Sequence, residues 1–496
     1  MSLDFKLHQD VQGTLETLVS FPSITRSNAE KDIYLSLWKF FKELQKQFPE
    51  LEVYTEQEEI DWAFHGGIVC RVGNNLNAKT IGFIGHLDVV DIEKWWSTSP
   101  FELTPISQNN DYLVGRGSCD MKAWVAIMIE LLKQKLIHGW EKNLVCMFTT
   151  GEEQWNPNGL TTLIKKWHLE WINFIIDPEP TSGDISVGVA GYWHIEVDLS
   201  NTWNTNTLSI AKAIQILDSA NHDSSLISDE IESARNLIDV SWISFSNFNW
   251  WQEAGNTSAA RASYKISIKN TSGQNIGAIR KVVKSFGASM TTVKSPENDF
   301  CYKISFLSDT YHNSLPKWKN KSALLKAAES IIFLAEGKIE DQKKLSQSLR
   351  NNKMYNGEEI QEALSVYQVK DGKIKINYRP LHPISKEKIE ENIASVLDII
   401  NKKAIEVVEY TPTHGELVEA NNPILQEFQK HITSKVKLTL SPFWTDIAQI
   451  LGIPSINFSM METKWAHKTG ERVSLEKMKK TLRIFSGFIG IQHTSS

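Results

Sequence analysis

The chain has 496 residues, with 53 Lys plus Arg against 59 Asp plus Glu, a formal net charge of −6. Its 41% hydrophobic and 23% charged content excludes a disordered chain, which would combine few apolar residues with a high net charge. The mild acidity argues against a nucleic-acid partner, whose phosphates call for an excess of Lys and Arg, and the length fits about three domain-sized units.

In chain order, Val11–Val19 and Lys31–Gln47 carry apolar residues at helical spacing. Lys79–Gly85 is a short apolar run that predicts a strand, Ala123–Leu136 a helix, and Asn143–Thr149 and Trp171–Ile176 two further strands. Alternating strands and helices predict a parallel sheet with helices on both faces. From Gly191 the pattern changes. Gly191–Leu199, Ser263–Ile268 and Lys373–Tyr378 alternate like half-buried strands, and helical stretches follow at Thr207–Leu217, Ile276–Lys284 and Ser385–Ile400. The polar segment Glu340–Gly357 is read as helix plus loop. The first pattern then returns: a helix at Asn422–Ile432, a helix near Ile447, a strand at Ser455–Met460 and a helix at Leu475–Phe488. The fold class expected is α/β: a catalytic domain with a largely parallel sheet (residues 1–190 and 411–496), interrupted by an inserted α+β lid domain (191–410), two-lobed with lobes of about 191–310 and 311–410.

No run reaches the about 18 uncharged apolar residues that crossing a bilayer takes, so no membrane partner is expected. Residues 1–10 mix charged and apolar side chains, unlike a secretory leader. Cys70, Cys119, Cys146 and Cys301 are too sparse for a disulfide framework or a Cys-rich zinc site, and the expected compartment is the cytoplasm.

Four strand-like runs each lead to a potential metal ligand. Ile81–Gly85 runs into His86-Leu-Asp88, and Leu144–Thr150 into Gly151-Glu152-Glu153. Asn173–Ile176 ends in Asp177-Pro-Glu179, and Ile456–Met460 precedes Trp465-Ala-His467. Gly115-Arg-Gly-Ser-Cys-Asp120-Met-Lys122 lies between the first two, just before a helix. Ligands of open α/β sheets gather beyond the carboxyl ends of the strands. Any one of these residues alone reads as a cap, a turn residue or a surface charge. Together, two His and several carboxylates without Cys suit a hydrolytic centre of two divalent ions.

The run Gly85-His-Leu-Asp-Val-Val90, then Trp96 with Pro100-Phe-Glu102, Gly115–Lys122, Gly151–Glu153 and Glu179-Pro-Thr181, resembles the metallopeptidase family of acetylornithine deacetylase, succinyl-diaminopimelate desuccinylase, carboxypeptidase G, carnosinase and bacterial dipeptidase V. The likeness covers the first 190 or so residues and about the last 60. It implies two metal ions, zinc foremost with cobalt or manganese as alternatives. His86 and Glu179 would hold one, Glu153 and His467 the other, and Asp120 would bridge them. Glu152 would be the general base, and Asp88 would accept the free ring N–H of His86. Asp177 ends the same strand as Glu179 and stays open as the alternative ligand.

In simpler members, a lid His reaches the partner subunit's site. Asn201–Asn206 has no such His, but Tyr311-His312-Asn-Ser-Leu-Pro316 resembles that stretch further down the chain. Gly372–Pro380 resembles the lid strand that carries a carboxylate-binding Arg, here Arg379. His312 would donate to the oxyanion and Arg379 would fork onto a substrate carboxylate. The doubled lid resembles that of dipeptidase V and implies a monomer, with a homodimer as the alternative. Two departures stand out: Ala123-Trp124 where a Gly pair is expected, and Trp444 in place of a Gly-rich turn before Thr445-Asp446. With Trp465 they are expected to reshape the pocket. The leading expectation is a dipeptidase or small-peptide exopeptidase. An N-acyl-amino-acid deacylase and a metal-free, peptide-binding pseudoenzyme are the alternatives.

Overall fold

The computed structural model describes residues 10–490 apart from 61, 93–94, 107–108, 140, 155–157, 167–168, 170, 199–206, 219–226, 239–242, 252–260, 269–275, 294–299, 308–322, 340–351, 356–357, 371–372, 381–384, 398–404, 412–416, 442–443 and 451. The chain forms two compact units, residues 1–189 with 414–496, and residues 190–413.

The first unit opens with helices α1 (Val11–Ser20) and α2 (Asn28–Gln47), followed by strands β1 (Leu51–Ile60), β2 (Ala63–Val72), β3 (Thr80–His86), β4 (Thr104–Ile106) and β5 (Asn109–Val114). Helix α3 (Lys122–His138), β6 (Asn143–Thr149), α4 (Gly159–Lys166), β7 (Phe174–Asp177) and β8 (Ile185–Val189) complete its first segment. The inserted unit holds β9 (Tyr192–Asp198), α5 (Thr207–Asp218), α6 (Asp229–Asn236), β10 (Ile243–Trp251), β11 (Arg261–Ile268), α7 (Ile276–Ser285), β12 (Ala288–Val293) and β13 (Phe300–Leu307). It continues through α8 (Ala323–Glu336), β14 (Asn352–Tyr355), β15 (Glu358–Gln361), β16 (Ala363–Lys370), β17 (Lys373–Arg379), α9 (Lys386–Val396) and β18 (Ile405–Thr411). The first unit resumes with α10 (Pro423–Gln429), β19 (Leu438–Ser441), β20 (Ser455–Asn457), β21 (Arg472–Ser474) and α11 (Leu475–Ile489).

The large sheet has the order β1-β2-β6-β3-β7-β20-β8-β19. Its middle is parallel: β3 pairs in parallel with β6 and β7, and β7 with β20. Every residue of β3 and β6 is buried, which explains their continuous apolar runs: both faces are covered, so nothing alternates. The antiparallel hairpin β1–β2 extends the sheet on one side. It was not anticipated, because Glu52, Glu56, Glu58 and Glu59 give β1 the polarity of an exposed edge. A separate three-stranded sheet, β21-β5-β4, ties the C-terminal segment back to the loop before Asp120.

Local chemistry sets the helix ends. Ser27 Oγ accepts the Glu30 N–H and Glu30 Oε2 accepts the Arg26 N–H, a reciprocal cap for α2. Asn422 caps α10 with Pro423 at its first position, and Ser474 caps α11.

In the inserted unit, two four-stranded antiparallel sheets, β10-β11-β13-β12 and β16-β17-β9-β18, share one apolar core that includes Trp193, Tyr264, Phe306 and Ile376. The sheets interleave in sequence. Strand β9 joins the later strands, while α8 packs on β11 and β13, so a cut near residue 310 does not separate them. Three local expectations are corrected. The segment near Ile447 is a single 3₁₀ turn, Asp446–Gln449, because the Asp446 side chain is drawn inward. Strand β20 ends at Asn457, where Asn457 turns to Asp177. The end of Glu340–Gly357 is strand β14, hairpinned to β15, and residues 340–351 lie outside the described residues.

Candidate metal centre

Strand β3 ends on His86, whose ring is 1% exposed. Its Nδ1 lies 3.0 Å from the Asp88 backbone carbonyl, which can only accept, so Nδ1 carries the proton and Nε2 faces the cluster. The Asp88 carboxylate is farther, 3.7 Å from Nδ1. It accepts instead from Glu152 N–H at 3.2 Å, Glu153 N–H at 3.1 Å and the Thr25 hydroxyl at 2.9 Å. Asp88 thus holds the Glu152–Glu153 turn, and its main chain rather than its side chain orients His86.

The Asp120 loop is shaped by Gly117, whose φ of +79° and nearby Val89, 2.6 Å from where a Cβ would stand, leave no room for a side chain. Gly151 at φ +80° likewise turns the chain between β6 and Glu152. Asp120 is shared. Its Oδ1 lies 3.2 Å from His86 Nε2 and its Oδ2 3.1 Å from His467 Nε2. His467 Nε2 is also 2.9 Å from Glu153 Oε2, while His86 Nε2 has Glu179 Oε1 at 3.6 Å and Glu152 Oε2 at 3.8 Å. His467 takes φ +58°, a left-handed conformation uncommon for a side-chain-bearing residue. The loops carrying Glu179 and His467 are zipped together: Ser459 Oγ donates to the Glu179 carbonyl, Thr181 Oγ1 to the Ser459 carbonyl, and Thr463 Oγ1 to the Pro180 carbonyl.

The electrostatics are those of a cluster short of positive charge. Among the described residues, the ion-pair partners of Asp120, Glu152, Glu153 and Glu179 are the two imidazoles. Burial alone would lower the imidazoles, but the surrounding carboxylates, Asp120 and Glu179 at His86 and Glu153 and Asp120 at His467, raise both well above the ordinary histidine value. Burial pushes Glu152 well up, and burial with the Asp120 charge pushes Glu179 up to about 8. Asp120 stays low despite burial because both imidazoles face it.

His86, Asp120, Glu153, Glu179 and His467 thus lie in one connected cluster with Glu152 beside them, and Glu153 Oε1 is buried without a hydrogen-bond partner among the described residues. The sets His86–Glu152–Glu179 and His86–Asp120–Glu153 each bring ligand atoms within 4.8 Å of one another. Two imidazole nitrogens and carboxylate oxygens, one carboxylate shared, fit two divalent cations.

Asp177 is placed elsewhere. Its Oδ2 accepts from Asn457 Nδ2 at 3.2 Å, in a buried polar layer with Thr445 and Asp446. Asp446 accepts from Thr149, Asn158 and Gln449, and burial pushes it up to about 6. Trp124 does not line an opening. It is fully buried in α3, and its indole N–H donates to the Cys119 carbonyl, so it braces the Asp120 loop from below. Trp444 is 6% exposed, and the Trp465 ring lies under the Arg472 guanidinium at 4.0 Å. Arg379, in the inserted unit, is buried at the end of β17, with its Nε donating to Asn377 Oδ1 at 3.0 Å. His312 lies outside the described residues.

Sequence reasoning missed Glu471, which accepts from Arg116 Nη1 at 2.8 Å and from the Cys119 and Asp120 N–H groups at 2.8 and 3.0 Å. It missed Glu30, buried behind the Glu152 turn. A charged residue four places beyond His467, and an Arg between two glycines, were the available signals.

The chain is similar to several known proteins. Succinyl-diaminopimelate desuccinylase of Buchnera aphidicola subsp. Cinara cedri is 32% identical over 130 residues, 25% of this chain and 31% of the relative. A probable succinyl-diaminopimelate desuccinylase of Staphylococcus aureus is 25% identical over 173 residues, 34% of this chain and 41% of the relative. The matches therefore span less than half of either relative's length. Human carnosine dipeptidase 1 superposes with a TM-score of 0.54 at 12% identity, over 97% of this chain and 96% of that one. The dipeptidase Dug1p of Saccharomyces cerevisiae gives 0.54 at 11% identity, over 97% and 95%. The metallo-carboxypeptidase Sso-CP2 of Sulfolobus solfataricus gives 0.51 at 15%, over 97% and 99%. These three share the fold. Residues 82–490, a span that starts in β3 and closes beyond α11, match a family model in sequence, and on that match the chain belongs to peptidase family M20/M25/M40.

Proposed function

We propose that this chain is a two-metal hydrolase that cleaves an amide bond beside a free carboxylate, acting as a dipeptidase or small-peptide exopeptidase. The observation that carries the reading is the placement of the two imidazole Nε2 atoms on opposite oxygens of Asp120, with Glu152 beside them. His86 and Glu179 would hold one ion, Glu153 and His467 the other, and Asp120 both. When bound, two divalent cations, zinc foremost, polarise a carbonyl and make water acidic enough to attack near neutral pH.

The remaining steps belong to the chain. Glu152 takes the proton of the attacking water and delivers it to the departing amine. Burial favours its protonated form, which suits the second half of the task, holding the proton until the amine departs. Asp88, by accepting from the Glu152 and Glu153 N–H groups, keeps base and ligand in one orientation. The inserted unit is the lid in this reading, His312 donating to the oxyanion and Arg379 to the substrate carboxylate. A cytoplasmic monomer acting on small peptides completes it.

A second reading, an N-acyl-amino-acid deacylase, is favoured by the desuccinylase matches. Dipeptides assayed against N-acetyl and N-succinyl amino acids separate the two. Metal analysis of protein purified without chelator tests both: two ions per chain support a hydrolase, and none would leave a peptide-binding pseudoenzyme. His312→Ala should lower kcat by about a hundredfold; an unchanged kcat removes that role.

A further inference from the structure

We propose that Glu471 is a positioning residue that sets the Asp120–His467 half of the metal centre, through its carboxylate's grip on the Asp120 loop. The inference rests on the two-metal reading above.

The placement follows from the small sheet. Strand β21 pairs with β5, with Arg472 opposite Val114. The ladder continues one step beyond both strands, where Gly115 N–H donates to the Glu471 carbonyl at 3.0 Å. From that fixed backbone point, the Glu471 side chain, 1% exposed, reaches across the turn of the Asp120 loop. One oxygen, Oε1, accepts both the Cys119 N–H at 2.8 Å and the Asp120 N–H at 3.0 Å. The other, Oε2, accepts from Arg116 Nη1 at 2.8 Å. Arg116 is itself fully buried, with its guanidinium over the Trp96 ring at 5.3 Å and Nη2 donating to the Asp91 carbonyl at 3.1 Å.

At the centre of this clamp the Glu471 carboxylate is buried, and both of its oxygens accept hydrogen bonds from buried donors. Removing the carboxylate would strand two N–H donors and a guanidinium in the interior, an arrangement proteins avoid. The functional consequence follows from where the clamp sits. Asp120 is fixed at its own backbone N–H, and His467 lies four residues before Glu471 on the same short segment. One side chain therefore sets the distance between two ligands that come from opposite ends of the sequence. His86 closes β3 and Glu179 lies two residues past β7, and the Glu471 carboxylate makes no hydrogen bond to either among the described residues. Loss of the clamp should weaken the ion held by Glu153 and His467 more than the ion held by His86 and Glu179.

Two neutral double variants isolate the clamp from its buried charge. Arg116→Met/Glu471→Gln keeps an oxygen for the two N–H groups, whereas Arg116→Met/Glu471→Met removes it. The probe is cobalt(II) alone, titrated calorimetrically into the metal-free full chain and followed by its visible absorption, with folding checked by circular dichroism. The wild type and the Gln variant are expected to take two ions. The Met variant should keep the first and bind the second about 10- to 100-fold more weakly. Equal second-site affinity in the two double variants would overturn the proposal, and so would loss of the second ion in both. Should the Met variant not fold, Glu471→Asp serves: it keeps the charge but is one methylene too short to reach both partners. It is expected to weaken the second ion, and wild-type affinity would overturn the proposal. A wild type that takes no cobalt would instead refute the metal reading itself.

Discussion

The two halves of the metal centre are built differently. His86 is the last residue of a fully buried strand, 1% exposed, with its ring proton on a backbone carbonyl next door. His467 is 31% exposed, sits in a left-handed turn after a 3₁₀ segment, and is held by what its neighbours bind. A strand end inherits its position from the sheet. A loop ligand has to be positioned by separate contacts, here the zipped 179–183 and 458–463 loops and the Glu471 clamp. Both designs deliver an imidazole to Asp120 at nearly the same distance, 3.2 and 3.1 Å.

The largest effect should come from the residue that belongs to both halves. Asp120→Ala is expected to abolish binding of both ions and cut kcat/KM by at least about a thousandfold, since neither half keeps its shared ligand; metal content and steady-state kinetics measure it. Glu152→Gln should bind both ions like the wild type yet lose about 10²–10⁴ in kcat; a variant that loses metal instead would make Glu152 a ligand.

The histidines separate the halves directly. His467→Ala should lose one ion and lower the melting temperature of the metal-free chain less than His86→Ala does, since His467 is 31% exposed and leaves no buried void. His86→Ala should lose an ion and also destabilise the metal-free fold by roughly 1–3 kcal/mol, because it empties a buried position. Equal melting temperatures would erase the distinction.

A pH-dependent effect concerns the support behind the His86 half. Burial foremost, and the Asp88 charge next, push the Glu30 carboxyl up to about 9. The folded chain therefore holds a proton there that the unfolded chain releases near pH 4.5. That contribution to stability is whole below about pH 4.5 and is lost as pH rises towards 9. Urea unfolding at a series of pH values should show Glu30→Gln losing less stability than the wild type between pH 5 and 9. Parallel curves would mean that Glu30 is ionised when folded.

What could be read in advance follows the same division. Strand β6 occupies the predicted Asn143–Thr149 residue for residue, since seven consecutive buried positions leave a strong apolar signal. The residues that cluster around Asp120 were legible because His86, Glu153, Glu179 and His467 come after apolar runs, and Asp120 after a Gly-flanked turn just before a helix. Hidden instead were the contacts that need the third dimension. Glu471 and Arg116 are 355 residues apart and meet only because β21 pairs with β5. Trp124 looked like a pocket residue because it follows Asp120 closely, but one turn of helix carries it under the loop, where its N–H holds Cys119. Strands β12 and β19 carry too little apolar pattern on mostly half-exposed positions to be found from sequence.

The Val418 N–H donates to the Val187 carbonyl at 2.9 Å, just outside the points where the inserted unit leaves and rejoins its host. The host chain is thus interrupted between two residues that already touch. Closing a gap of that width costs little entropy whatever its contents, so long additions are tolerated there. A lineage could lengthen, double or exchange the inserted unit at this seam while the strands that present His86, Glu152 and Glu179 keep their register.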